Sequence, residues 1–278
     1  MRIIKDENIK SFLEDLINRE MSSATFEKYH RDILNFSQFA AGKSIDKQLC
    51  LDYKAHLEEI YAVSSANSMI ASVNSFFKHM EWFDCCIRQF KVQKKVFCSE
   101  EDELTKNEYL RLVKTAQSKG NERLNLVLQT ICGTGIRVSE LKYITVEALK
   151  TGSAEVSCKG KNRVILIVSK LRSLLKDYVR RHGIVSGPIF VTKNGNPLNR
   201  SNIWREMKQL CKDAKVSDKK VFPHNLRHLF ARAFYKIEKD IAKLADILGH
   251  SSINTTRIYI VSTGAEHRRK MENTRLIV

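Results

Sequence analysis

Arg137, Lys159, His224, Arg227, His250 and Tyr259 are side chains whose types and settings could carry chemistry, and the chemistry they suit is phosphoryl transfer. Moving a phosphodiester needs a nucleophile, fixed positive charge on the non-bridging oxygens and an acid for the leaving hydroxyl. Arg137, in CGTGIRVSEL, follows a glycine-bounded turn and could aim a guanidinium at a phosphate. Its plainer reading is a surface arginine after a tight turn. Lys159, in SCKGKNR, sits where a basic turn could reach into a groove and donate a proton, or simply be solvated. His224 and Arg227, in FPHNLRH, share a helix face at i and i+3, and His228 is expected to point elsewhere as a structural residue. His250 follows Gly249 in ADILGHSSINTT, and Tyr259 lies nine residues on in TTRIYI. A tyrosine beside isoleucines is most often core. As a nucleophile it needs cationic neighbours, because its free pKa is about 10. There is no HExxH, no DxD cluster and no GxxxxGK[ST] loop, so no metal, ATP or other cofactor is expected.

Charge suggests what these groups would act on. The chain has 278 residues, with 48 Lys+Arg against 31 Asp+Glu, a net charge of +17. Residues 1–100 carry 14 basic and 14 acidic side chains, and residues 101–278 carry 34 and 17. The whole excess therefore belongs to the second part, as expected of a protein that meets a polyanion, with nucleic acid the first candidate. The longest clean apolar run, Val164–Val168, is far short of a membrane span. No apolar segment near the N-terminus suggests secretion, so a cytoplasmic location with no membrane partner is expected. Seven cysteines, an odd number without a CxxC pair, argue against a disulfide framework or a zinc site. They read as reduced, mostly buried small hydrophobes.

The positioning elements can be read from periodicity. Residues 6–20, a stretch opening after Ser22-Ser23, residues 46–61 and a stretch opened by Ser64-Ser65 each place apolar residues on one helical face. The first 84 residues thus predict a helical bundle. Residues 91–103 read as a linker. Thr105 then caps a helix, with Glu108 as its capping-box partner. Leu124–Cys132 predicts an apolar helix ending at Gly133-Thr134-Gly135, and Arg137–Tyr143 begins another. Ala154–Cys158 and Arg163–Val168 predict two strands around a turn at residues 159–162. Leu171–His182 reads as helix, Pro188–Thr192 as a strand, and residues 201–261 as mainly helix.

In order and context, these stretches resemble the tyrosine recombinases, or phage integrase family. GTGIRVSEL, HNLRH and LGHSSINTTRIY match its motif boxes across residues 104–261. The match is closest to compact bacterial recombinases that resolve chromosome dimers and to integrases of mobile elements. The N-terminal helices are similar only in layout, to the family's core-binding domain. The resemblance implies a mainly α fold with a small β-sheet in the catalytic domain: a helical core-binding domain at 1–90, a linker at 91–103 and a mixed α/β catalytic domain at 104–278, with a tail at 262–278, together clamping double-stranded DNA.

It also implies roles. Tyr259 would attack the scissile phosphate to give a 3′-phosphotyrosine, Arg137 and Arg227 would hold the non-bridging oxygens, Lys159 would be the general acid, and His224 and His250 would assist. Lys159 matches better than Lys161, because it precedes the turn glycine. Partners would be other protomers, four on two sites exchanging strands through a Holliday junction, and an accessory DNA-bending protein or partner recombinase. The tail, with a helix expected over 265–275, would dock on a neighbouring protomer. Three places depart from the pattern. Residues 237–240 lack a glycine common before the LGH box, Phe230 replaces a small or hydroxylated residue, and Ile165 replaces a proline. Rival readings are a type IB topoisomerase-like enzyme and a DNA-binding regulator without cleavage.

Overall fold

The computed structural model describes residues 2–92, 101–158, 161–192, 194–260, 268 and 271–274; for Cys158, Lys161, Asn162 and Ile260 it describes the backbone alone. The architecture is mainly helical, with one two-stranded antiparallel sheet among the described residues. Contacts divide the chain into two compact units, Met1–Lys94 and Lys95–Val278. None of the helices among the described residues is long and apolar enough to cross a membrane.

The first unit holds α1 (Asp6–Asn18), α2 (Ser23–Ala40), α3 (Lys47–Ile60) and α4 (Val63–His79), followed by a 3₁₀ turn at Phe83–Cys85. Each helix buries a stripe at helical spacing: Ile9, Phe12 and Leu16 on α1; Ile33, Phe36 and Ala40 on α2; Leu49, Tyr53 and Leu57 on α3; Ile70, Val73 and Phe77 on α4. Edge-on aromatic pairs lock the stripes together, Phe12 on Phe76 at 5.5 Å and Phe36 on Phe77 at 5.3 Å. Ser22 and Asp46 cap α2 and α3 by accepting the amides of Thr25 and Leu49. Helix α4 opens at Val63, one residue before the serines expected to open it. Its first turn hangs on the Ala62 carbonyl, which accepts from Ser65 and Ala66. Burial of Ala66 and Ile70 fixes this start, without help from a side-chain cap.

The second unit runs through α5 (Lys106–Ser118), α6 (Glu122–Thr134), a 3₁₀ turn at Val138–Tyr143, α7 (Val146–Thr151), β1 (Ser153–Cys158), β2 (Lys161–Leu166), α8 (Ser169–Arg181), α9 (Arg200–Ala214), a 3₁₀ turn at Asp218–Lys220, α10 (Pro223–Glu238), α11 (Ile241–Leu248) and α12 (Ile253–Ile260). The Thr105–Glu108 capping box forms as expected. Helix α6 is buried nearly all round, through Leu124, Val127, Leu128 and Ile131, and it forms the centre of the unit.

Three expectations need correction. Residues 138–143 form a 3₁₀ turn rather than the start of an α-helix, the turn carrying Glu140 inward to the Arg163 guanidinium. The second strand begins at Lys161, not Arg163. Cys158 pairs with Lys161, so two residues separate the strands instead of four, and β2 ends at Leu166. Pro188–Thr192 forms no strand. It makes only isolated bridges, Thr145 to Pro188 and Val191 to Pro197, and prolines lack the amide a ladder needs. The helix expected over 265–275 lies mostly outside the described residues.

The departures from the family pattern find local accommodation. Lys239 ends α10 in the left-handed conformation at φ +55°, doing without a glycine. Ile165 is buried opposite Ala154. Phe230 packs onto Gly135, which itself ends α6 at φ +66°. A Cβ on residue 135 would lie 2.3 Å from the Phe230 ring. Gly135→Ala should therefore cost about 2 kcal/mol or more in chemical denaturation, from left-handed strain plus overlap. Adding Phe230→Leu should return the overlap part. A neutral Gly135→Ala would contradict this packing.

Candidate active site

Four segments of the second unit converge. The turn after α6 brings Arg137, α10 brings His224, Arg227 and His228 on its first two turns, the α11–α12 turn brings His250, and α12 brings Tyr259. Pro223 at the first position of α10 starts that helix where the imidazoles are needed. Gly249, at φ +64°, ends α11 and turns the chain towards His250.

Arg227 is the hub. It is 1% exposed, yet it carries a guanidinium. Its Nη1 donates to the Gly135 carbonyl at 2.6 Å, and its Nη2 donates to the Leu248 carbonyl at 2.7 Å and to His250 Nε2 at 2.8 Å. Its Nε is buried without a partner. Burial, with the charge of Arg137 second, lowers the Arg227 pKa to about 10. An anion entering this site would relieve that penalty.

The bond from Arg227 fixes the His250 tautomer. A guanidinium only donates, so Nε2 accepts and Nδ1–H donates to the buried Thr256 hydroxyl at 2.8 Å. Burial and the nearby arginines lower the His250 pKa to about 4, in keeping with a neutral ring. Tyr259 is 6% exposed, and its hydroxyl lies 3.3 Å from His224 Nε2. The Arg227 guanidinium lies 5.8 Å from the centre of its ring. Partial burial, then Arg227, Arg137 and Arg200, lower the His224 pKa.

Arg137 stands at the open side, with 42% of its side chain exposed. Its Nη1 pairs with Glu140 at 2.9 Å, and its Nη2 reaches the Gly249 carbonyl at 3.4 Å. Glu140 also pairs with Arg163, whose Nη1 donates to the Ile247 carbonyl at 2.8 Å. Lys159 lies outside the described residues. Among the described residues, no three His, Cys, Asp or Glu side chains stand close enough to hold a metal ion.

Sequence reasoning missed three participants. His228 does not point elsewhere: its ring stacks on Tyr259 at 4.3 Å and meets His224 edge-on at 4.9 Å. Its place at i+4 from His224 was the available signal. Glu140, three residues after Arg137, had the capping-box spacing. Arg163 had no local signal, because its partners are distant in sequence.

The histidines make the unit acid-sensitive. Burial first, then His224 and Arg227, lowers the His228 pKa to about 4, below the unfolded value near 6.5. Between those values the unfolded chain binds more protons, so stability falls as pH drops from about 6.5 to 4, by on the order of 3 kcal/mol for His228. The melting temperature should be lower at pH 5 than at pH 7. His228→Phe, which keeps a stacked ring but cannot titrate, should shrink the difference; an unchanged difference would contradict the assignment.

The phage integrase family model matches residues 102–266, and its N-terminal SAM-like domain model matches residues 9–82. The chain is 27% identical to tyrosine recombinase XerD of Halalkalibacterium halodurans, over 91% of this chain and 92% of that one. It is 31% identical to tyrosine recombinase XerH of Campylobacter jejuni, over 82% and 70%. Among solved structures, a lambda integrase(75-356) dimer bound to a COC' core site matches with a TM-score of 0.77 and 18% identity, over 95% of this chain and 97% of that one. XerH recombinase bound to difH substrate, in a pre-cleavage complex, matches at 0.70 and 19%, over 93% and 83%. At these identities the structures speak for the fold, while the family models and curated relatives speak for descent. The chain belongs to the phage integrase family of tyrosine recombinases.

Proposed function

We propose that this recombinase cuts and rejoins double-stranded DNA at a specific site, with Tyr259 as nucleophile. The observation that carries this reading is the Tyr259 hydroxyl held beside His224, with the buried Arg227 guanidinium 5.8 Å from the centre of the same ring. The phenol oxygen bonds to phosphorus as the bond from phosphorus to the 5′-oxygen breaks, giving a 3′-phosphotyrosine. The phenolic proton leaves towards His224. Lys159 protonates the departing 5′-oxygen, giving the free 5′-hydroxyl. Arg137 and Arg227 hold the non-bridging oxygens, with His250 hydrogen-bonded beside them. The phosphotyrosine keeps the bond energy, so the reverse attack by a 5′-hydroxyl reseals the strand without ATP or metal.

In this reading residues 1–90 and 104–278 both bind the duplex, joined by a linker at 91–103. The +17 excess of the second part supplies most of the sequence-independent affinity. Four protomers on two sites exchange strands through a Holliday junction, the tail at 262–278 reaching a neighbour, with a partner recombinase or DNA-bending protein where the site requires one. The tetrameric assembly is supported by the lambda integrase tetramer bound to a Holliday junction, a match with a TM-score of 0.75. The reaction takes place in the cytoplasm. The relatives above are recombinases and an integrase, so the topoisomerase and regulator readings gain no support.

The test is to mix the protein with nicked fragments of DNA flanking its own gene, in EDTA and without ATP, and denature in detergent. A covalent protein–DNA adduct is expected. Binding without an adduct in EDTA, reversed by added metal, would overturn the chemistry.

A further inference from the structure

We infer that Arg163 is a positioning residue for the phosphate clamp: by sharing the buried carboxylate of Glu140, it leaves the charge of Arg137 available to the scissile phosphate. This rests on the reading of Arg137 as part of the clamp. Glu140 is 3% exposed and accepts from two guanidiniums, Arg137 through Nη1 and Arg163 through Nη2. It also accepts the Arg137 amide at 2.7 Å. The two arginines differ in exposure. Arg137 keeps 42% of its side chain open, whereas Arg163 keeps 11%. One carboxylate against two cations leaves one positive charge, and it resides on the side open to solvent. Without Arg163, Glu140 would pair with Arg137 alone. A phosphate would then meet a neutral pair with a poorly screened carboxylate behind it.

The structure holds Arg163 in place for this task. It leaves β2 opposite Val156 and donates to the Ile247 carbonyl at 2.8 Å. Its stem runs across Gly249, where a Cβ would come within 2.4 Å of Arg163 Cδ. The glycine before His250 thus gives passage to Arg163 as well as turning the chain. One side chain ties the sheet, the Glu140 turn and the α11–α12 turn together.

The experiment is single-turnover cleavage of a nicked duplex carrying either the natural diester or an uncharged methylphosphonate at the scissile position. An uncharged phosphorus centre has little need of the clamp's charge. Arg137→Ala is the control, expected to lose on the order of 10²-fold on the diester and to regain most of it on the methylphosphonate. Arg163→Met should follow the same pattern, losing about tenfold or more on the diester and less than about threefold on the methylphosphonate. Arg163→Lys, which keeps a cation beside Glu140, should recover most of the diester rate. A merely structural Arg163 would lose both substrates equally, and that result would overturn the inference. If Arg163→Met does not fold, the pair Glu140→Gln with Arg163→Met removes the charge and its counter-ion together. That pair should recover the diester rate, and a diester-specific defect in it would overturn the inference. If Arg137→Ala is not rescued, the clamp reading falls and the inference with it. If Arg137→Ala is rescued and Arg163→Met is not, the inference alone falls.

Discussion

Tyr259→Phe should leave DNA binding intact and abolish the covalent adduct. The substitution removes one oxygen. The ring keeps its stack on His228 at 4.3 Å and its contact with His250 at 5.1 Å, and the hydrogen bond lost to His224 is a long one. Stability should change by about 1 kcal/mol or less. Cleavage has no substitute nucleophile in this constellation, so adduct formation should fall by on the order of 10⁴-fold or more. Gel-shift titration beside detergent-resistant adduct yield separates the two. Residual adduct near the wild-type level would mean that another side chain attacks.

Arg227→Lys should be nearly as damaging, for a different reason. The guanidinium spans the Gly135 carbonyl, the Leu248 carbonyl and His250 with two nitrogens fixed in one plane. A lysine presents one compact ammonium on a flexible stem and cannot span them. The carbonyls of Gly135 and Leu248 belong to the ends of α6 and α11, so their loss loosens both turns. Stability should fall by about 3 kcal/mol. Cleavage by the remaining folded protein should fall a further 10²- to 10³-fold or so, because a fixed donor for the transition-state charge is gone. Urea denaturation gives the first number, and single-turnover cleavage corrected for folded fraction gives the second. A cleavage loss fully explained by the unfolded fraction would reduce Arg227 to a structural residue.

Much of the fold was legible because local rules and tertiary packing agree. The stripe Ile9–Phe12–Leu16 and the Thr105–Glu108 box each predict a helix that forms. Arg227 and Tyr259 were legible from their surrounding stretches, and the fold brings them together with Arg137, His224 and His250. What escaped depends on contacts the sequence does not order. The 3₁₀ turn at 138–143 forms because Glu140 is drawn inward by Arg163 from a strand more than twenty residues away. In the sequence His228 reads as structural, although its i+4 spacing from His224 places both rings around the phenol. The serines at 64–65 have the character of caps, but burial of Ala66 and Ile70 begins the helix at Val63.

Whether the Tyr259 oxygen attacks phosphorus is read directly by digesting the adduct with protease and nuclease and locating the nucleotide by mass spectrometry. The expected product is a 3′-nucleotide phosphate on Tyr259 with a free 5′-hydroxyl on the released strand. A nucleotide on any other residue, or a 5′-phosphate linkage, would contradict it.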